Sequence, residues 1–87
     1  MTKEYIINND ESIRIYNRGL LTASVYGAVK VTFTHDKYNP YFIVKCGDAT
    51  LYGEYLTFEK WNDVLCISES QSYIKIENDE LKEGAFK

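Results

Sequence analysis

The chain has 87 residues, of which 45% are hydrophobic, 15% aromatic and 26% charged, and its formal net charge is −3. This length suits one domain, the aromatic content argues against a disordered chain, and no apolar run approaches the roughly 20 residues that a membrane-spanning helix needs. We therefore expect one soluble domain over residues 1–87.

Three segments in the first part of the chain alternate apolar and polar residues, as half-buried β-strands do. They are residues 12–17, 21–26 and 29–34, and turn residues at Gly19 and Gly27 separate them. The residues predicted to face inward are Ile13, Ile15, Leu21, Ala23, Val25, Val29, Val31 and Phe33.

Two later segments extend this pattern. Residues 41–46 are apolar on both faces apart from Lys45, which is typical of a central strand. Residues 72–77 alternate again, with Ile74 and Ile76 facing inward. Because turn signals recur every 8–12 residues, we predict an α+β or mainly β fold, with a small antiparallel sheet or half-open barrel of about five to seven strands.

One segment, residues 57–65, predicts a short helix instead. Phe58, Trp61 and Val64 or Leu65 follow at helical spacing, and Thr57 is a suitable N-cap. In this interpretation Trp61 is buried and anchors the helix on the sheet.

The residue types that carry catalysis or bind metals are sparse. Cys46 and Cys66 lie in apolar runs and are predicted to be buried, reduced thiols, while the single histidine, His35, lies in a polar turn. Their spacing does not match a zinc site, and no glycine-rich phosphate loop is present. We predict no catalytic residue, no metal and no cofactor, and therefore no enzymatic activity. Since the first residues lack a signal-peptide pattern, we expect the protein in the cytoplasm.

Charge is distributed unevenly along the chain. Residues 1–47 contain six basic and four acidic residues, whereas residues 48–87 contain four basic and nine acidic residues. A strongly basic nucleic-acid footprint is therefore absent. The acidic end after about residue 78 is either a solvated, frayed tail or a surface that attracts a basic partner, and the sequence leaves its order open.

The chain is rich in tyrosine, with eight among its 87 residues. So small a core cannot bury all of them, and the alternation places Tyr16, Tyr26 and Tyr73 on outward faces. Outward tyrosines either cover a half-exposed sheet by cross-strand pairing or form a binding patch, because tyrosine offers a large, rigid contact at low entropic cost.

The chain as a whole is small and mildly acidic, has aromatic residues expected at its surface, and is rich in Ile, Asn, Lys, Tyr and Glu. In this general character it resembles small phage-encoded proteins that inhibit host defence nucleases, such as anti-CRISPR proteins. The resemblance implies action by stoichiometric binding, with carboxylates placed where nucleic-acid phosphates would sit.

These observations predict a protein-binding module, an inhibitor of a host defence or nucleic-acid-processing protein encoded by a phage or mobile element. The expected partner is a host protein with a basic surface, with no role for a membrane and none expected for nucleic acid. A homodimer through an open sheet edge is also consistent with the fold. The predicted partner-binding residues are Tyr38, Tyr52, Tyr55, Tyr73, Glu69, Glu77, Asp79 and Glu80.

Two alternatives stay open. One is a small β-barrel that binds nucleic acid, with tyrosines stacking on bases and a row of cations following the backbone. Its cations would be Arg14, Arg18, Lys30, Lys37 and Lys45. The other is a structural or assembly protein of a phage.

Overall fold

A computed structural model describes residues 2–85, which form two antiparallel β-sheets and no helix. The strands are β1 (Thr2–Ile7), β2 (Glu11–Asn17), β3 (Leu20–Tyr26), β4 (Val29–Thr34), β5 (Phe42–Cys46), β6 (Ala49–Gly53), β7 (Tyr55–Asn62), β8 (Ile67–Glu77) and β9 (Glu80–Ala85). The four-stranded sheet has the order β1-β4-β5-β6, and the five-stranded sheet has the order β3-β2-β7-β8-β9.

The mainly β, antiparallel prediction is thus confirmed, and two of its details are wrong. The described residues form nine strands rather than five to seven, and they include no helix. These strands form two sheets that do not close into a barrel. The acidic segment whose order the sequence left open forms β9 as far as Ala85 and pairs with β8. None of the described residues belongs to a helix long and apolar enough to cross a membrane.

The core lies between the two sheets. Its centre is the contact between Phe33 on β4 and Phe58 on β7, whose ring centroids lie 5.1 Å apart with the planes at 86°. This edge-to-face arrangement is one that aromatic pairs prefer. The other buried apolar residues around this contact are Ile7, Ile13, Ile15, Val31, Phe42, Val44, Cys46, Leu56, Ile74 and Leu81.

The predicted inward residues of β2 and the Val31 and Phe33 side chains of β4 are buried, but Leu21 on β3 is not. Ile15 lies opposite Ala23 whereas Tyr16 lies opposite Leu21, so Thr22 is an extra residue in β3. A bulge of one residue reverses the alternation of side chains. Leu21 therefore shares the outer face with Tyr16 and is 57% exposed.

Residues 57–65, the predicted helix, instead belong to β7 and to the turn that follows it. A spacing of three residues places Phe58 and Trp61 on opposite faces of a strand, so Phe58 enters the core while Trp61 points outward. β7 pairs with β2 on one side and β8 on the other, whereas an isolated nine-residue helix has little stability. Trp61 therefore has no helix to anchor: its ring lies half-buried on the outer face of the sheet, with the Arg14 guanidinium 4.2 Å from the centroid.

In the described residues the chain passes from one sheet to the other three times, and Glu11 contacts two of these crossings, from β1 to β2 and from β3 to β4. Its carboxylate accepts a hydrogen bond from the backbone N–H of Asn8 (3.0 Å) and lies 2.9 Å from the Lys60 ammonium. Its backbone carbonyl accepts the N–H of Gly27 at the β3–β4 crossing (2.9 Å). The hydrogen bond from Lys60, followed by that from Asn8, lowers the pKa of Glu11.

The two cysteines lie in different environments. Cys46 is buried, as predicted, and burial raises the pKa of its thiol to about 11. Cys66 is exposed, so the prediction of a buried thiol is wrong there. The apolar run that contains it is the turn between β7 and β8 and not a core strand.

The stability losses of Phe58→Ala and Trp61→Ala distinguish a strand at residues 57–65 from the helix predicted there. Phe58→Ala removes one ring of the central contact and is expected to cost about 3–5 kcal/mol of unfolding free energy. Trp61→Ala removes a half-buried outer ring and its contact with Arg14, and is expected to cost only about 1–2 kcal/mol. Chemical denaturation of both variants measures this; an equal loss for the two would contradict the placement of Trp61.

Glu11→Gln tests the ion pair at the crossings. Because the folded protein lowers the pKa of Glu11 below its ordinary value of 4.5, the ionised carboxylate stabilises the fold above that pH. This contribution disappears as the pH falls below 4.5 and the carboxylate is protonated. We therefore expect Glu11→Gln to be less stable than the parent at pH 7, with the difference shrinking towards pH 3.

Denaturation curves at several pH values measure that difference. Glu4→Gln is the matched control, because Glu4 is exposed and lies 3.9 Å from the Lys30 ammonium, a weaker pair. A pH-independent deficit for Glu11→Gln would show that the carboxylate acts through packing alone.

Candidate protein-binding face

Five of the eight predicted partner-binding residues lie together on the five-stranded sheet. Tyr55 is on β7, Tyr73 is on β8, and Glu77, Asp79 and Glu80 surround the β8–β9 turn. We call these five residues the tyrosine face.

The other three predicted residues lie elsewhere. Tyr38 is exposed in the β4–β5 loop with the Lys37 ammonium 5.1 Å from its ring centroid. Tyr52 is on β6, in the other sheet, and Glu69 lies at the opposite end of β8, 3.8 Å from Lys60. The structure therefore does not bring Tyr38, Tyr52 or Glu69 into the tyrosine face.

The strand pairing sets the direction of the two tyrosines. Leu56 lies opposite Ile74, and both enter the core, so their neighbours Tyr55 and Tyr73 point to the outer surface. The two rings are parallel within 6°, with centroids 5.8 Å apart. Such stacking contributes about 0.5–1.5 kcal/mol beyond burial, and it holds both rings in one orientation.

Gly84 on β9 provides the space for the Tyr73 ring. It lies opposite Tyr73 in the β8–β9 pair, and a Cβ atom at this position would be 2.5 Å from the tyrosine hydroxyl oxygen and 2.6 Å from Cζ. The ring therefore lies across β9 where only a glycine leaves room. Tyr73 is thus held by Tyr55 on one side and by the β9 backbone beneath it.

Charged residues border the stacked pair. The Lys75 ammonium lies 5.7 Å from the Tyr73 ring centroid and 2.8 Å from the Glu77 carboxylate, and its hydrogen bond to Glu77 lowers the pKa of that carboxyl. Lys82 lies 4.0 Å from Glu80, whereas Asp79 forms no ion pair with any residue in the described range. Three carboxylates thus face two ammonium groups, and the border is only mildly acidic.

The five cations of the nucleic-acid alternative are spread over the molecule. Arg14 is on β2 and Arg18 is in the turn after it, whereas Lys30 and Lys45 are on the four-stranded sheet and Lys37 is in the β4–β5 loop. Two sheets that pack face to face turn their outer surfaces away from each other. These side chains therefore do not form one continuous basic path.

The sequence did not predict an exposed apolar turn between β7 and β8. Val64 and Leu65 are 74% and 65% exposed there. The Asn62 side-chain oxygen accepts hydrogen bonds from both of their backbone N–H groups, at 3.0 and 2.9 Å. The Asn62-Asp63 pair was the available signal, since Asn and Asp start turns in this way.

A second feature that the sequence did not predict is a cavity of about 460 Å³ between β1 and the β8–β9 pair. Phe33, Phe58 and Ile74 contribute to its lining, and Tyr5 and Glu83 lie beside it. Glu83 accepts a hydrogen bond from the Tyr5 hydroxyl and from the Lys3 ammonium. Burial, with Glu83 as the second cause, raises the pKa of Tyr5 to about 12.

Comparisons with family models, curated proteins and solved structures give no match for this chain. In the described residues no group of three or more His, Cys, Asp or Glu side chains could hold a metal ion.

Gly84→Ala tests how the tyrosine face is built. The added methyl group would collide with the end of the Tyr73 side chain, which can rotate away, so we expect the stacked pair to separate while the fold is kept. Contacts between the Tyr55 and Tyr73 ring protons in NMR spectra should disappear, and the unfolding free energy should change by less than about 1 kcal/mol. Ring contacts that persist in the variant would contradict the position of Tyr73 over β9.

Proposed function

We propose that this protein is a stoichiometric protein-binding module whose anchor is the stacked Tyr55–Tyr73 pair. The observation that supports this proposal is the geometry of that pair: two parallel rings on the outer face of a sheet, held by each other and by Gly84. Tyr55 remains 45% exposed, so it offers apolar area to a partner.

A fixed aromatic pair suits protein binding because little side-chain entropy is lost when a partner covers it. Interface hot spots are enriched in tyrosine and are surrounded by polar groups that exclude water. Lys75, Glu77 and Glu80 form such a border here. The tyrosine hydroxyls add hydrogen-bonding capacity at the edge of the apolar contact.

The border favours a partner with a basic surface, since Asp79 at the turn and the net charge of −3 attract cations. Together with the resemblance to phage-encoded inhibitors, this points to a host defence or nucleic-acid-processing protein as the partner. Inhibition then requires only that the bound module cover the partner's nucleic-acid site. No catalytic step by this chain is part of the proposal.

The experiment compares three variants of the immobilised protein in capture from a host-cell lysate. Tyr55→Ala and Tyr73→Ala each remove one ring of the anchor, and Tyr52→Ala is the matched control, an exposed tyrosine on the other sheet. A specific partner is retained by the parent and by Tyr52→Ala, and is lost with the other two.

Titration of the purified partner then gives stoichiometry and affinity. We expect a dissociation constant that rises about 10- to 100-fold for Tyr55→Ala and Tyr73→Ala, and less than about threefold for Tyr52→Ala. Equal losses in all three variants, or none, would contradict the assignment. A shift of single-stranded DNA or RNA that depends on Arg14 and Lys45 would instead support the nucleic-acid alternative.

A further inference from the structure

The edge strands of the two sheets differ in charge: β1 and β9 carry charged residues, whereas β3 and β6 carry none. On one flank the edge strands β1 and β9 lie next to each other, joined by Lys3 and Glu83 at 2.7 Å and by the Tyr5 hydroxyl, which donates to Glu83. Charged residues on edge strands are a common protection against pairing with another chain. This flank is therefore closed to pairing with a strand of another chain.

The other edge strand of the five-stranded sheet is β3, and that of the four-stranded sheet is β6. The seven residues of β3 and the five residues of β6 include no charged side chain and no proline. Several large side chains of these two strands are exposed to solvent: Leu20, Leu21 and Tyr26 on β3, and Tyr52 on β6. An uncharged edge strand with exposed apolar residues readily pairs with another strand, and in β3 the bulge at Thr22 restricts such pairing to the residues after it.

We propose that β3 pairs with β3 of a second copy, so that two five-stranded sheets join into one continuous sheet. A second copy fits because the strand is uncharged: a twofold axis brings identical residues together, and no like charges then oppose each other. The remaining surface carries the net charge of −3, so the net long-range electrostatic interaction between two copies is repulsive. Two copies therefore approach each other at least electrostatic cost along the uncharged strand β3.

The bulge at Thr22 selects the register. Antiparallel pairing centred on Ser24 uses the regular segment after the bulge and places Ala23 opposite Val25 of the second copy, and Val25 opposite Ala23. Ser24 is exposed on the outer face, opposite Arg14 of β2. On this axis the two Ser24 side chains lie directly opposite each other.

The paired length is short, so the dimer is expected to be weak. A strand of seven residues buries less than the roughly 1,200 Å² of a standard interface. We therefore expect a dissociation constant in the range of about 1–100 μM. Sedimentation analysis over about 1–500 μM covers that range and should show a reversible monomer–dimer equilibrium.

Charge placed at Ser24 tests the register. Ser24→Lys and Ser24→Glu each place like charges opposite each other across the axis, so each should weaken dimerisation about fivefold or more. An equimolar mixture of the two variants places opposite charges there and should restore a dimer at least as tight as the parent's. Melting temperatures recorded for both variants establish that each is folded.

Ile6→Glu on β1 is the matched control. Ile6 is exposed on the closed flank and lies opposite Lys30, much as Ser24 lies opposite Arg14, so the change should leave the dimer intact. Three results would overturn the proposal: a monomer at every concentration, a dimer or larger assembly that neither Ser24 charge weakens, or a dimer that only Ile6→Glu disrupts.

Discussion

The structure depends on the contact between Phe33 and Phe58, because it joins the two sheets face to face at the centre of the core. With no helix in the described residues, each sheet can bury only its inner face. Every strand must then send alternate side chains outward. The excess of tyrosine follows from this constraint: Tyr26, Tyr52 and Tyr55 lie exposed on outer surfaces, where an amphipathic ring tolerates water at one end and packs against neighbours at the other.

The fold was predictable where one face of a strand is cleanly apolar. Ile13 and Ile15, and Val31 and Phe33, are spaced by two residues and are buried as their alternation indicates. The helix prediction failed at residues 57–65 because a spacing of three residues joins side chains from opposite faces of one strand, and apolar residues of the following turn completed the false pattern. The bulge at Thr22 could not be predicted from the sequence either, because an extra residue in β3 is defined only by its pairing with β2.

The candidate site was predictable in part. The count of tyrosines indicated that some form a surface, but not which ones meet: Tyr55 and Tyr73 are distant in sequence and become neighbours only through the β7–β8 register. The acidic end was predicted to be strongly charged because the sequence shows how many carboxylates it contains but not which of them form ion pairs. Lys75 and Lys82 lie on the same hairpin and pair with Glu77 and Glu80, which leaves the border far less acidic than the composition indicates.

Pairing through β3 leaves the tyrosine face accessible, because β3 and β9 are opposite edges of the five-stranded sheet. In the joined sheet, the two β8 strands are separated by seven strand spacings, or about 34 Å before twist is considered. Both stacked pairs then face the same side of one continuous sheet. A partner that is itself twofold symmetric can contact both copies, and the second contact forms at the high effective concentration of a linked pair. Disrupting β3 pairing should therefore weaken binding to a dimeric partner strongly while leaving binding to a monomeric one unchanged, since the contacts of each tyrosine face stay the same.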